Sequence, residues 1–357
     1  MNSKQLIAVA AMALSGAAMA QSSVTVYGRL DASIGSAKVG NITNGAGPAN
    51  VTQMFSNNIT TSRLGFRGTE DLGGGLSALF IIETGFSPDA PGQTVLGDRA
   101  AVVGLSGGFG TIKLGRHDTS FDDIRDLMVS SNLWDSGNLA STETVLSTGA
   151  TTTNGVGGLR DYGDRANNQV RYESPSFSGL TFGVSYGFDE EASPVKKDVV
   201  AYNLRYKAGN LDVGVAYQEN SQAGFNATTP ANSYLITDDL KYTTVAAAYN
   251  FGLFRVSGGW NQAKEVNVAT PVKANTYTVG VNVPVEAWDF SVGYSTAKAK
   301  RAGAAFEKGS AFSVGATYSL SKRTRAYAAL TNGDIKDAAG TKIRQRDIYA
   351  LGLIHTF

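Results

Sequence analysis

Residues 180–189 read LTFGVSYGFD, and in this stretch large apolar residues alternate with small or polar ones. The same alternation returns in WDFSVGYS at 288–295 and in FSVGATYSL at 312–320. Successive side chains of a β-strand point to opposite faces, so each stretch predicts a strand with one apolar face and one polar face. An amphipathic helix would instead repeat its apolar residues every three or four positions.

Comparable segments recur along the chain and predict about sixteen strands. They lie near 23–35, 57–69, 75–86, 98–106, 110–117, 165–175, 179–189, 198–208, 210–219, 239–250, 252–263, 273–283, 287–297, 309–320, 323–331 and 346–357. Glycine-rich stretches predict tight turns at one end of these strands, at 72–75, 107–109 and 209–210. Long connections are predicted at the other end, at 36–56, 118–164, 220–238 and 332–345.

Alternation alone fits either a soluble sandwich or a barrel in a membrane. The polar faces carry charges that a dry sandwich core would tolerate poorly. Aromatic residues such as Tyr172, Tyr202 and Tyr249 lie near segment ends, where a membrane barrel has its interface girdles. We therefore predict an all-β fold, a 16-stranded antiparallel transmembrane β-barrel wide enough for an aqueous channel.

The N-terminus has the organisation of a secretory signal peptide. Lys4 precedes an apolar stretch at 6–14, and Ala18-Met19-Ala20 resembles a cleavage site. The apolar stretch is shorter than a transmembrane helix requires. We expect a signal peptide over 1–20, followed by one barrel domain over 21–357.

Composition argues against several other functions. The chain has 31 Lys+Arg against 30 Asp+Glu, so a nucleic-acid partner is not expected. It has no cysteine and only two histidines, His117 and His355, and we place no nucleophile beside a base. An enzyme is therefore not expected, and neither a cofactor nor a metal is predicted.

Several stretches resemble the general-diffusion porins of Gram-negative bacteria, specifically the β-proteobacterial type. SVTVYGRLD at 23–31 and SRLGFRGTEDLGGGL at 62–76 carry most of this resemblance. Shorter matches follow in order along the chain: RAAVVGL at 99–105, KLGR at 113–116, RANN at 165–168 and IHTF at 354–357. The resemblance spans the chain from residue 23 to its last residue.

The resemblance implies a homotrimer in the Gram-negative outer membrane, in contact with lipid and lipopolysaccharide, that passes small hydrophilic solutes and ions. It also implies that the third outer loop, here 118–164, folds into the barrel and narrows the pore. Basic wall positions that match the family are Arg29, Arg63, Arg99 and Arg165. Candidate acidic partners on the loop are Asp118, Asp122, Asp123, Asp126 and Asp135.

The alternation supports an inward orientation for most of these arginines. Arg63 and Arg67 point opposite to Leu64 and Phe66, and an arginine facing lipid near the midplane would cost about 2–4 kcal/mol. Arg99 falls on the same face as its apolar neighbours. A β-bulge or a position at the membrane edge would be needed to reconcile its charge with that face. Because arginine stays charged, we hypothesise weak selectivity set by the surplus of arginines over nearby aspartates.

Two other functions remain open at this point. A substrate-selective channel would need aromatic or repeated ligand groups along the lumen, whereas the inward faces here carry mainly small residues. A structural barrel or adhesin with surface-binding loops would have fewer strands and a plugged or narrow interior.

Overall fold

The computed structural model describes residues 23–42, 47–90, 92, 95–128, 165–190, 198–221, 239–267 and 269–357. Asp135 and most of the predicted loop 118–164 therefore lie outside the described residues, as does the predicted signal peptide. No described helix is long and apolar enough to cross a membrane.

Seventeen strands form one antiparallel sheet among the described residues. The first nine are β1 (Ser23–Asn41), β2 (Val51–Ser56), β3 (Arg63–Gly73), β4 (Leu76–Gly85), β5 (Ala100–Gly107), β6 (Gly110–Asp118), β7 (Arg165–Glu173), β8 (Leu180–Gly187) and β9 (Val199–Ala208). The others are β10 (Leu211–Asn220), β11 (Asp239–Asn250), β12 (Arg255–Val266), β13 (Val272–Val285), β14 (Trp288–Arg301), β15 (Ala304–Ser319), β16 (Thr324–Asp337) and β17 (Lys342–Thr356). One helical turn, α1 (Asp122–Arg125), continues as a 3₁₀ turn over Asp126–Met128.

The sheet closes on itself because β1 pairs with β17 along one edge and with β2 and β3 along the other. β2 pairs with Ala32–Ala37 and β3 pairs with Ser23–Arg29, so the two segments together fill one position in the wall. The barrel therefore has sixteen wall positions, which confirms the predicted fold class. Closure joins the first and last strands of the sheet, so neither is left as an open end in the bilayer.

The predicted second strand at 57–69 begins too early. Residues 57–62 interrupt the wall instead, and Asn57 adopts a left-handed φ of 64°. Asn58 and Ile59 are fully buried. Ile59 packs with Tyr327 and Ile354, whose side chains come from β16 and β17 on the inner face.

The Asp31 carboxylate holds this interruption against β1. Its Oδ2 accepts hydrogen bonds from the backbone N–H groups of Ile59 and Thr60, both at 2.9 Å. Its Oδ1 accepts one from the Tyr327 hydroxyl at 2.8 Å. Asp31 is fully buried, so these three donors depend on it in place of water.

We expect Asp31→Ala to lower the unfolding midpoint of the barrel, whereas Asp31→Asn leaves it nearly unchanged. Both substitutions remove the same charge, but the amide oxygen of asparagine can still accept from both N–H groups. Alanine leaves three donors without an acceptor, at a cost of about 1–3 kcal/mol for each group. Thermal unfolding of the two variants, followed by heat-modifiable gel mobility, measures the difference. Equal midpoints for both variants would contradict this role of Asp31.

Two predicted long connections are shorter than expected. β16 continues to Asp337 and β17 begins at Lys342, so residues 338–341 replace the predicted loop 332–345. β1 extends to Asn41 and β2 begins at Val51, which shortens the predicted loop 36–56 in the same way. The turns at 74–75, 108–109 and 209–210 lie inside the predicted tight connections.

Candidate functional site

The two faces of the wall differ in chemistry. On β1 the outward-facing apolar side chains are exposed at Val24, Val26, Leu30 and Ile34. The intervening positions, including Tyr27, Arg29 and Asp31, face the interior. This arrangement places apolar groups toward lipid and polar groups toward a lumen.

One charged group on the inner wall centres on Glu83 of β4. The Arg99 Nε lies 2.7 Å from Glu83 Oε1, and the Arg63 Nη1 lies 3.6 Å from the same oxygen. Tyr27 donates its hydroxyl hydrogen to Glu83 Oε2 at 3.0 Å. Nearby, Arg29 donates to the Thr60 hydroxyl at 2.5 Å. Three of the four predicted arginines thus lie on one part of the wall, on β1, on β3 and immediately before β5.

The position of Arg99 explains its apparent parity conflict. β5 begins at Ala100, so Arg99 precedes the strand and does not obey its alternation. Its backbone N–H donates to the Glu83 carbonyl oxygen at 3.1 Å, which fixes the residue beside β4. The side chain can then turn inward while Ala101 and Val103 face outward.

The described part of the predicted loop lies against the inner wall. Phe121, Ile124, Leu127 and Met128 are buried in an apolar cluster with residues of β9–β16. Small wall residues make room for them: a Cβ at Gly214 would lie 2.4 Å from Ile124 Cδ1, and one at Gly259 would lie 2.8 Å from Met128 Sδ. Residues 119–128 therefore pack against inward-facing residues of the wall.

Polar contacts anchor the same segment. Thr119 donates to Gln218 at 2.7 Å, and the Ser120 N–H donates to the Ser185 hydroxyl at 3.0 Å. Asn203 donates to the Ser120 carbonyl oxygen at 2.6 Å and to Asp123 at 2.7 Å. The partners come from β8, β9 and β10, so the anchor spans three strands.

Asp123 and Arg171 form the principal ion pair between this segment and the wall. The Arg171 Nη2 donates to both carboxylate oxygens of Asp123, at 2.7 and 2.8 Å, and its Nη1 donates to the Asp118 carbonyl oxygen at 2.7 Å. The Arg171 Nε lies 2.8 Å from Glu173. Burial raises the pKa of Asp123, and the Arg171 guanidinium opposes that rise.

The other predicted residues have different neighbours. Arg165 Nε lies 2.9 Å from Asp118 Oδ1, which joins one predicted arginine to one predicted aspartate at the mouth of the loop. Asp122 and Asp126 lie 3.0 and 3.3 Å from the same guanidinium nitrogen of Arg125, within their own helical turn. Asp135 is outside the described residues.

Sequence reasoning missed Glu83 and Arg171. The signal for Arg171 was available, because Gln169, Arg171 and Glu173 alternate with apolar residues in a predicted strand. Glu83 ends an apolar run, LFII at 79–82, and only the register of β3 and β5 brings it between Arg63 and Arg99.

A cavity of about 490 Å³ lies beside α1. Its lining includes Asp126, Arg205 and Asp212, and Arg205 lies 2.6 Å from Asp212. Charges of both signs thus face the open interior, as expected for a wall in contact with water.

The family model described as Gram-negative porin matches residues 7–338 of the chain. The chain belongs to the Gram-negative porin family. Outer membrane porin protein 32 of Delftia acidovorans is 33% identical to this porin over 369 residues, covering 98% of this chain and 95% of the relative.

Solved structures agree with this fold. An anion-selective porin from Comamonas acidovorans superimposes with a TM-score of 0.76 at 26% identity, covering 94% of this chain and all of the other. OmpT of Vibrio cholerae, described in a trimer form, gives a TM-score of 0.68 at 16% identity and covers 94% of this chain and 99% of the other. This porin lies in the Gram-negative outer membrane, where its barrel is a channel for diffusion.

Proposed function

We propose that this porin is a general-diffusion channel with a preference for small hydrophilic anions. The observation that carries the preference is the group formed by Arg63, Arg99 and Glu83, in which two guanidinium groups face one carboxylate. These three side chains carry a net charge of +1 on the inner wall. A fixed positive charge beside an aqueous path attracts anions and repels cations. The name of the Comamonas structure, an anion-selective porin, points in the same direction.

The residues that would set this preference are the constriction residues inferred from the sequence. They are Arg29, Arg63, Arg99 and Arg165 on the wall and Asp122, Asp123, Asp126 and Asp135 on the loop. Glu83 and Arg171 join them because of their contacts. The inward course of residues 119–128 supports a loop that narrows the pore, with the Asp123–Arg171 pair as its anchor.

The assembly that we propose is a homotrimer in contact with outer-membrane lipid and lipopolysaccharide. The trimer form of OmpT supports the first part of this proposal. Lipid contact is supported by the exposed apolar residues on the outer face, such as Val24 and Ile34. Cross-linking of the native protein should yield a ladder that ends at three subunits.

Glu83→Gln tests the electrostatic account. Loss of this carboxylate leaves Arg63 and Arg99 without their shared counter-charge, so we expect the anion-to-cation permeability ratio to rise by about threefold. This is the effect of a unit charge about 12 Å from the ion path at an effective dielectric constant of about 40. Reversal potentials in a KCl gradient measure this ratio. Glu286→Gln removes an equal charge in an exposed turn at the end of the barrel and serves as the control. Equal ratios for Glu83→Gln and the wild type would refute the proposed charge balance.

A further inference from the structure

Lysines form a continuous row on the outer face of the barrel, and the pore does not use them. The row has one lysine on each of six consecutive strands, from β11 to β16. We call the following residues the lysine band: Lys241, Lys264, Lys273, Lys300, Lys308 and Lys336. Lys298, two residues before Lys300, adds a seventh ammonium group beside it.

The register places these lysines directly opposite one another. Lys241 pairs with Lys264, and Lys264 pairs in turn with Lys273. Lys273 then faces Lys300 across β13 and β14. The row continues as Lys298 opposite Lys308 and Lys308 opposite Lys336. Like charges directly opposite on neighbouring strands are destabilising, so five successive strand pairs carry an unfavourable pairing.

The protein supplies little compensating charge. Lys241 lies 3.3 Å from Glu219, and Lys336 lies 3.9 Å from Asp334. Within the part of the chain that the structure describes, Lys264, Lys273, Lys298, Lys300 and Lys308 have no acidic partner. The band therefore lacks counter-ions along its middle.

The band lies at a defined height on the lipid-facing surface. It is at the end of the barrel with the long connections 119–164 and 221–238, opposite the turns at 74–75, 108–109 and 209–210, and the longer connections of outer-membrane barrels are extracellular. Tyr277 is four residues from Lys273 and Phe312 is four residues from Lys308, on the same face, and both rings are exposed. Four residues of strand correspond to roughly 13 Å, so the lysines lie just beyond the aromatic girdle, at the level of lipid headgroups.

We propose that the lysine band binds the phosphate groups of lipopolysaccharide in the outer leaflet. A row of ammonium groups at headgroup height is complementary to phosphorylated lipid, which would lie between the paired lysines and relieve their repulsion. A protein partner is disfavoured, because lysine is depleted at the cores of protein interfaces. The inference deepens the proposed lipid contact and rests on the outer-membrane location, not on the anion preference of the pore.

The test is binding of bis-phosphorylated lipid A to the full-length folded porin in neutral detergent. The variant Lys273→Gln/Lys300→Gln removes the central pair of the band. The matched control, Lys322→Gln/Arg323→Gln, removes two positive charges from an exposed turn at the opposite end of the barrel. We expect the first variant to bind about 30-fold more weakly and the control to bind like the wild type, since each lysine near an anionic lipid surface contributes about 1 kcal/mol.

Thermal unfolding with and without lipid A is a second measurement, and it distinguishes a loss of lipid binding from misfolding of the variant. Without lipid A, the variant should unfold no earlier than the wild type, because a repulsion has been removed. With lipid A, the midpoint of the wild type should rise and that of the variant should not.

Equal binding by the variant and the wild type would overturn the proposal, as would equal loss in the control or equal affinity for dephosphorylated lipid A. A porin that binds lipid A through the lysine band but passes no current would refute the proposed channel function and would not affect the proposed lipid binding.

Discussion

Replacing Arg171 by alanine is expected to loosen the inward segment and to give larger, noisier single-channel currents. Arg171 is almost fully buried and binds both carboxylate oxygens of Asp123, so its loss leaves that carboxylate without its main counter-charge. We expect destabilisation of about 2 kcal/mol, below the ~3–5 kcal/mol of a fully buried pair, because a third of the Asp123 side chain remains exposed. Planar-bilayer recordings and thermal unfolding measure the two effects.

Two further variants separate the anchor from a general loss of charge. Arg205→Ala breaks the 2.6 Å pair with Asp212, which joins two wall strands. Among the described residues Arg205 makes no hydrogen bond or ion pair with the segment at 119–128, which it reaches only through longer-range attraction to Asp123 and Asp126. Its currents should remain quiet. Arg171→Ala/Asp123→Asn removes the stranded carboxylate and should recover stability without restoring quiet currents. Quiet currents from Arg171→Ala itself would show that this ion pair does not hold the loop.

The triple variant Arg63→Ala/Arg99→Ala/Arg165→Ala is expected to abolish the anion preference. At the same distance of about 12 Å and the same effective dielectric constant of about 40, each charge acts on the permeating ion with roughly 0.7 kcal/mol, so the loss of three should change the permeability ratio by about 30-fold. Glu83 and Asp118 would then be left as negative groups, and the sign of the selectivity should reverse. The reversal potential in a KCl gradient reports both the size and the sign.

The matched control removes three lysines from the outer face, Lys264, Lys273 and Lys308. It changes the net charge of the protein by the same amount but leaves the lumen unchanged. In a bilayer of neutral lipid its reversal potential should equal that of the wild type. If both triple variants shifted the potential alike, the selectivity would depend on overall charge and not on the inner arginines.

The sequence predicted the barrel well because strand alternation is a local property. It failed at residues 57–62, where the wall is broken by contacts of Ile59 to Asp31, 28 positions earlier in the chain, and to Tyr327, which lies in a much later strand. It also ended β14 and β16 too early. Their last residues include Lys298, Lys300 and Lys336. Charged residues such as these are typical of loops, but here they occupy outward-facing positions of the strands.

The candidate site was predictable only in part. Motif positions and strand alternation predicted Arg29, Arg63 and Arg165. Each of these arginines lies within a strand or at its end and faces inward. The partners of these arginines depend on the register between strands, which the sequence does not specify. Glu83 lies between Arg63 and Arg99 because β4 pairs with β3 on one side and β5 on the other. Residue types and spacing alone do not predict that arrangement.

The most direct test of the account is the single-channel current of the wild-type porin, purified unboiled and inserted into a planar bilayer with a KCl gradient. We predict stepwise openings in groups of three and a reversal potential on the anion-selective side. A cation-selective potential would contradict the proposed role of the inner arginines. Silent membranes from correctly folded, heat-modifiable protein would contradict the channel itself and favour a structural barrel or an adhesin.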